Sequence, residues 1–205
     1  MKIFETRTAP NPRRVRMFLA EKGLLDKAEF IEIDLARGEN LTPEFVARNP
    51  MKKVPVLELD DGTCLSETMA ICRYFEEACP DSPTLLGDTA LEKARVEQWL
   101  RWIEFHFFMP TGMCFQHTSG YFKDRMTPNP AWGEECGRQV AVFMDFLNQH
   151  LEDREFICCG RLTAADINAF TTVAFARVVD IRIQPGQAHL QAWYDRMRER
   201  PSAQA

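Results

Sequence analysis

The sequence predicts a small α/β domain of order βαβαββα over residues 1–80, a linker at 81–88, and an all-α domain over 89–205. Three observations predict it. Strand-like and helix-like patterns alternate up to residue 80. Pro80-Asp81-Ser82-Pro83 then interrupts every periodic pattern. Beyond that break, apolar residues recur at helical spacing and no strand signal stands out. No internal repeat or low-complexity segment is present.

Lys2-Ile3-Phe4-Glu5 reads as a short first strand. From Pro12 the pattern turns helical, with Val15, Phe18 and Leu19 at i, i+3, i+4 and Gly23 placed to end the helix. Phe30-Ile31-Glu32-Ile33-Asp34 alternates as a strand, and Thr42-Pro43-Glu44 supplies a cap and a first-turn proline for a short helix. A hairpin and a helix over about 67–79 follow. The helical crossover in the first unit implies parallel strands, while the later Asp-Gly turn implies an antiparallel pair. In the second half, residues 90–112 predict one long helix carrying Trp99, Trp102, Ile103 and Phe107. The tract 113–131 reads as irregular, with Gly120, Pro128 and Pro130. Helices at about 132–151, 163–179 and 189–199 complete the chain.

With 205 residues the chain can bury a large core, and a net charge of −5 argues against a nucleic-acid or polybasic membrane surface. Arg13, Arg14 and Arg16 are a local basic exception that reads chiefly as a solvated helix face. No apolar run approaches membrane-spanning length, and the N-terminus carries no signal-peptide core. The seven cysteines are odd in number, irregularly spaced and mostly within apolar segments, which fits a reducing, cytoplasmic setting. No Cys-x-x-Cys pair or His-rich cluster is present, so no metal is expected. Cys158-Cys159 reads as two small buried hydrophobes.

The stretch most informative about chemistry runs from Lys53 to Thr68. Val54-Pro55-Val56-Leu57 is a strand opening on proline, which withholds a backbone donor and, as a cis bond, turns the Val54 amide and carbonyl outward. Asp61-Gly62 supplies a two-residue hairpin turn. The next helix starts at Glu67-Thr68, where free N–H groups and a positive dipole end suit a carboxylate. Together these features fit a small extended peptide, held by its backbone and its acidic end.

These residues resemble a cytosolic glutathione transferase over nearly the whole chain, most like bacterial members that carry a Ser or Thr hydroxyl at the reactive position. Asn49-Pro50-Met51-Lys52-Lys53-Val54-Pro55-Val56-Leu57 matches the family's Asn-Pro-x-x-Lys-Val-Pro-x-Leu pattern, and Glu67-Thr68 its Glu-Ser/Thr pair. Thr163-Ala164-Ala165-Asp166-Ile167 matches the capping box that opens the family's buried core helix; its own logic is a Thr163 cap with Asp166 reaching back. Aspartate, shorter than glutamate, implies a tight, buried turn. The resemblance implies a thioredoxin-like N-terminal domain, an all-helical C-terminal domain, and glutathione as co-substrate. On the same resemblance, Val54 is expected to pair its backbone with the cysteinyl part beside cis-Pro55, Glu67 and Thr68 to hold the γ-glutamyl end, and Lys53 and Asn40 to meet the glycyl carboxylate. It also implies a two-fold homodimer, formed mainly by the N-terminal domain of one chain against the helices at about 67–79 and 90–112, with no nucleic acid and no membrane involved. Met51, apolar between a proline and two lysines, is placed to plug a pocket on the partner.

The reactive position departs from the family pattern. The place of the family's Ser, Thr or Cys falls on Ala9, in Thr8-Ala9-Pro10-Asn11-Pro12, which has no hydroxyl or thiol to offer. The alternative donors are the Asn11 side-chain amide and the hydroxyls of Thr6 and Thr8. The resemblance places Phe105, Met109, Phe115, His117 and Tyr121 on the wall for a hydrophobic electrophile, with His117 alone able to exchange protons. The expected function is conjugation of the glutathione thiolate to a small electrophile, in detoxification. The alternatives are a glutathione-binding or protein-interaction module without catalysis and, last, a thiol-disulfide reductase, which lacks a reactive cysteine near the first turn.

Overall fold

The structure is a computed structural model that describes residues 1–205. It divides into two compact units, one comprising Met1–Leu85 with Pro201–Ala205 and the other Leu86–Arg200.

The first unit holds β1 (Lys2–Glu5), α1 (Pro10–Glu21), β2 (Glu29–Glu32), α2 (Pro43–Arg48), β3 (Val56–Glu58), β4 (Cys64–Ser66) and α3 (Thr68–Ala78). This is the predicted βαβαββα order. The sheet order is β2-β1-β3-β4, with β1 parallel to β2 and antiparallel to β3, and β3 antiparallel to β4. Alternation along the strands sends Ile3 and Phe4 to opposite faces. Phe4 joins Phe45, Val54 and Val56 in one apolar cluster, and α1 packs on α3. The Lys22 ammonium, fully buried, donates to Glu76 Oε2 and to the Pro83 carbonyl, both at 2.7 Å, and so fastens α1 to α3 and to the chain beyond it. The last five residues, which the sequence reading gives to the helical domain, group with this unit. Arg13 donates to the Ala203 carbonyl at 3.2 Å, and Ser202 donates to Glu21. Pairings so distant in sequence leave no local pattern.

The second unit contains α4 (Ala90–Ile103), α5 (Met109–Thr118), α6 (Pro130–His150), α7 (Ala164–Ala176) and α8 (Ala188–Glu199). α7 is buried from Ala164 through Val173, and its polar residues Asp166, Asn168, Thr171 and Thr172 are each hydrogen-bonded there. The long helix predicted over 90–112 is different in detail. It ends as α-helix at Ile103, passes through a π-helical turn at Glu104–Phe108, and continues as α5 to Thr118, into the first third of the tract read as irregular. Pro110 and Gly112 look like a stop in sequence. Pro110 instead falls in the first turn of α5, where a missing N–H costs nothing, and the wider π turn absorbs the change of register.

Candidate functional site

Two features of the first unit meet at one end of the sheet. The Val54-Pro55 bond is cis, and the β1–β3 ladder stops at Phe4↔Val56, before Val54. The β3–β4 register ends at Val56↔Ser66. The chain that enters β3 through Val54-Pro55 and the chain that leaves β4 through Glu67-Thr68 therefore lie at the same end of this pair. Glu67 is exposed and adopts φ 73°, ψ 121°, a left-handed-side conformation costing a non-glycine residue about 1–3 kcal/mol. Thr68 is buried and begins α3, which has no side-chain cap, so its first turn presents backbone N–H groups and a positive dipole end.

The loop before Val54 is held from beneath by two buried asparagines. Asn40 Nδ2 donates to the Lys52 carbonyl and Asn49 Nδ2 to the Lys53 carbonyl, both at 2.8 Å, while Asn49 Oδ1 accepts from the Met51 N–H at 3.0 Å. Asn40 thus braces the segment that displays the exposed Lys53, and its Oδ1 is buried without a partner. Asn49 went unassigned in the sequence reading beyond its place in the Asn-Pro motif. Its signal was there, since an asparagine immediately before proline favours a side-chain-braced turn.

The turn ahead of α1 narrows the choice of donors. Ala9 is the N-cap of α1, without a side-chain cap, and its N–H donates to the Thr6 carbonyl at 2.8 Å. The Thr6 hydroxyl donates to the Ile33 carbonyl at 2.5 Å and is committed there. Thr8 is exposed. Asn11 is half-buried, and its Oδ1 accepts from Arg14 Nη1 at 3.1 Å, leaving its amide hydrogens as the group it offers.

In the second unit, Phe115 packs with Tyr121 (ring centroids 5.5 Å), Phe122 (6.0 Å) and Phe175 (5.6 Å), and Phe108 reaches the same Phe175 at 6.2 Å. The sequence reading named Phe115 and Tyr121 of this cluster and missed Phe108, Phe122 and Phe175. Spacing could have found Phe108, seven residues before Phe115, whereas Phe175 comes from a distant helix. Phe105 and Met109 lie on the same helical run with exposed side chains, and Phe105 sits beside Arg101, its ring centroid 6.0 Å from the guanidinium carbon. His117 Nδ1 accepts the Asn129 N–H at 3.0 Å, just before α6 begins. That bond requires the Nε2–H tautomer, so the ring offers a donor rather than a base at its other nitrogen. No group of three or more His, Cys, Asp or Glu residues comes together to hold a metal.

A four-stranded mixed sheet with a cis-proline edge facing an uncapped helix N-terminus, and a separate helical unit around a buried capped helix, define a glutathione S-transferase, and the chain belongs to that family. Residues 8–78 match the family's N-terminal domain and residues 113–201 its C-terminal domain. Among particular relatives, it is 36% identical to glutathione S-transferase 2 of Saccharomyces cerevisiae over 98% of this chain and 87% of the relative. The crystal structure of Gtt2 from the same yeast superposes with a TM-score of 0.94 at 35% identity, covering 100% of this chain and 99% of that one. A glutathione S-transferase domain-containing protein from Marinobacter aquaeolei VT8 gives 0.94 at 38% identity, covering 98% and 99%.

Proposed function

We propose that this transferase binds glutathione along the Val54–Pro55 edge and adds its thiolate to a small hydrophobic electrophile, with no covalent intermediate on the enzyme. The observation that carries this reading is the β3–β4 register, which ends at Val56↔Ser66 with the cis Val54-Pro55 bond just before it and the start of α3 just after. A peptide laid along Val54 meets its backbone, and the peptide's γ-glutamyl end meets the Glu67 carboxylate, Thr68 and the first turn of α3. Lys53, raised on its braced loop, faces the glycyl carboxylate. The aromatic cluster around Phe115, with Tyr121, supplies an apolar face for the electrophile, and the Nε2–H of His117 a donor; Phe105 and Met109 extend that wall. The relatives' names as transferases support an enzyme over a binding-only module. Steady-state conjugation assays across several electrophile classes test it. No rate above the spontaneous one, with glutathione bound, overturns the enzyme reading.

With alanine at position 9, the thiolate needs another partner. We assign that role to the Asn11 amide, oriented by Arg14, with Thr8 as the competing donor. A free thiol has a pKa near ~8.5, and one charge-assisted hydrogen bond is worth roughly one pKa unit. Asn11→Ala is expected to raise the apparent pKa of bound glutathione and lower conjugation at neutral pH by about ten-fold, while Thr8→Ala changes little. Ala9→Ser is expected to keep or increase activity. Thiolate absorbance of the glutathione complex against pH distinguishes these outcomes. A shift in Thr8→Ala alone moves the role to Thr8.

The assembly we propose is a two-fold homodimer. Met51 is 63% exposed on the braced loop. Between α4 and α6 lies a groove of about 650 Å³ walled by Trp102, Val142, Phe143 and Phe146, with Val142 itself 68% exposed. Each copy's Met51 enters the other's groove, which buries both apolar surfaces. Light scattering at micromolar concentration is expected to give a dimer mass for the wild type and a shift toward monomer for Met51→Asp. A monomeric wild type refutes it. We place the protein in the cytosol, in a detoxifying role; its seven free cysteines favour a reducing compartment, and no helix is long and apolar enough to cross a membrane.

A further inference from the structure

Cys158 and Cys159 play no part in the glutathione site, and the structure does not bury both. They occupy the loop that leads into α7. Cys158 is 9% exposed, and its Sγ lies 3.4 Å from Thr163 Oγ1. Cys159 is half-exposed and takes φ 59°, followed by Gly160 at φ 64°. Two successive residues in the left-handed region turn the chain sharply at the second cysteine. Burial pushes the Cys158 thiol up to about 12, and Cys159 contributes to that rise through space and as a hydrogen-bond partner. Both cysteines line a groove of about 700 Å³ whose far wall is aromatic: Trp99, Trp102, Phe146 and the His150 ring, which lies 4.4 Å from Trp99. The His150 Nε2 is engaged with the Ile157 carbonyl at 2.7 Å, fixing that side of the groove.

We propose that this vicinal dithiol and its aromatic wall form a binding site for a trivalent organoarsenical, separate from the glutathione site. Two soft sulfur ligands select a soft, thiophilic centre. Pyramidal arsenic(III) bends its two sulfurs toward one another, a geometry within reach of thiols on adjacent residues of one tight turn. A linear two-coordinate ion would need them two full metal–sulfur bonds apart. A disulfide between them is disfavoured because consecutive Cα atoms lie about 3.8 Å apart, below the roughly 4.4–6.8 Å that unstrained disulfides span. The step needs no oxidant. An arsonous acid, R–As(OH)2, condenses with the two thiols; two S–As bonds form, two As–O bonds break, and each hydroxyl leaves as water with a thiol proton. The organic group R then rests on Trp99 and the His150 ring. The groove shares Trp102 and Phe146 with the Met51 groove, whereas Trp99, His150, Cys158 and Cys159 line this groove alone, so a dimer through Met51 leaves the thiols reachable.

The test uses phenylarsine oxide and the intact protein with its glutathione site filled. One equivalent is expected to bind, consume two thiols in a native thiol count, quench tryptophan fluorescence, survive millimolar glutathione, and be released by a dithiol. Cys159→Ser and Cys158→Ser are each expected to abolish the glutathione-resistant binding, while Cys64→Ser and Cys79→Ser leave it intact. Should Cys158→Ser misfold, the half-exposed Cys159→Ser decides the matter alone. Retention of resistant binding in Cys159→Ser, or displacement of the arsenical from the wild type by glutathione, overturns the proposal.

Discussion

Asp166→Ala is expected to leave little folded protein at 37 °C. Asp166 is fully buried, and four donors converge on it. Oδ1 accepts from the Ile157 N–H at 2.9 Å and Trp193 Nε1 at 3.1 Å; Oδ2 accepts from the Thr163 N–H at 3.1 Å and the Thr163 hydroxyl at 3.2 Å. Alanine strands these donors away from water at roughly 1–3 kcal/mol each. Even partial relaxation then leaves a loss of about 4 kcal/mol or more, a large share of a typical domain's 5–15 kcal/mol. Because Trp193 comes from α8 and Ile157 from the loop before α7, the loss spreads through the second unit. Urea unfolding monitored by tryptophan fluorescence checks it, and a midpoint near that of the wild type would refute it. Burial raises the Asp166 pKa to about 6 against the hydrogen bonds that lower it. A folded-state value above the ordinary 3.8 means the fold holds its proton more tightly than the unfolded chain does. The group's contribution is therefore complete below about pH 4 and declines as pH rises through 6. The stability gap between wild type and Asp166→Asn is accordingly expected to be wider at pH 4 than at pH 7.

Glu67→Ala is expected to weaken glutathione binding by about 10- to 100-fold, or roughly 1.4–2.8 kcal/mol, while the fold stays intact. A fully desolvated ion pair would lose more, about 2–5 kcal/mol. The exposure of Glu67 in the unliganded protein, together with the much smaller worth of solvated pairs, sets the lower figure. Glu67→Gly separates the side chain from the backbone. Glycine accepts φ 73° without strain, so this variant is expected to be at least as stable as the wild type and still to bind poorly. Calorimetry with glutathione reads both. Wild-type affinity in either variant would remove the γ-glutamyl end from this position.

Much of the fold could be read directly, and for local reasons. Proline and Asp-Gly mark β3 and its hairpin, and Thr163 with Asp166 marks the start of α7, because turn and cap chemistry is set by neighbouring residues. The helix over 90–112 is drawn too short because Gly120, Pro128 and Pro130 make the tract that follows it look irregular. A π turn upstream, invisible to periodicity counts, let the chain continue.

The site was legible in part. Val54, Pro55, Glu67 and Thr68 fall within one short hairpin-and-helix unit, so their meeting follows from a register that the Asp-Gly turn fixes. Asn40 was legible only as a polar residue near the loop; its bond to the Lys52 carbonyl crosses twelve residues of chain.

The sequence by itself determined the α/β-then-α order, the cis-proline edge, the buried capping box and the want of a hydroxyl at Ala9, since each is written in adjacent residues. Only the tertiary structure decided that Thr6 is spent on Ile33, that Phe108 and Phe175 join Phe115, and that Cys159 stands open while Cys158 is buried. Each of these depends on where a hydrogen-bond partner, a facing ring or an exposed surface lies after the chain has closed on itself, and local propensity carries no record of that.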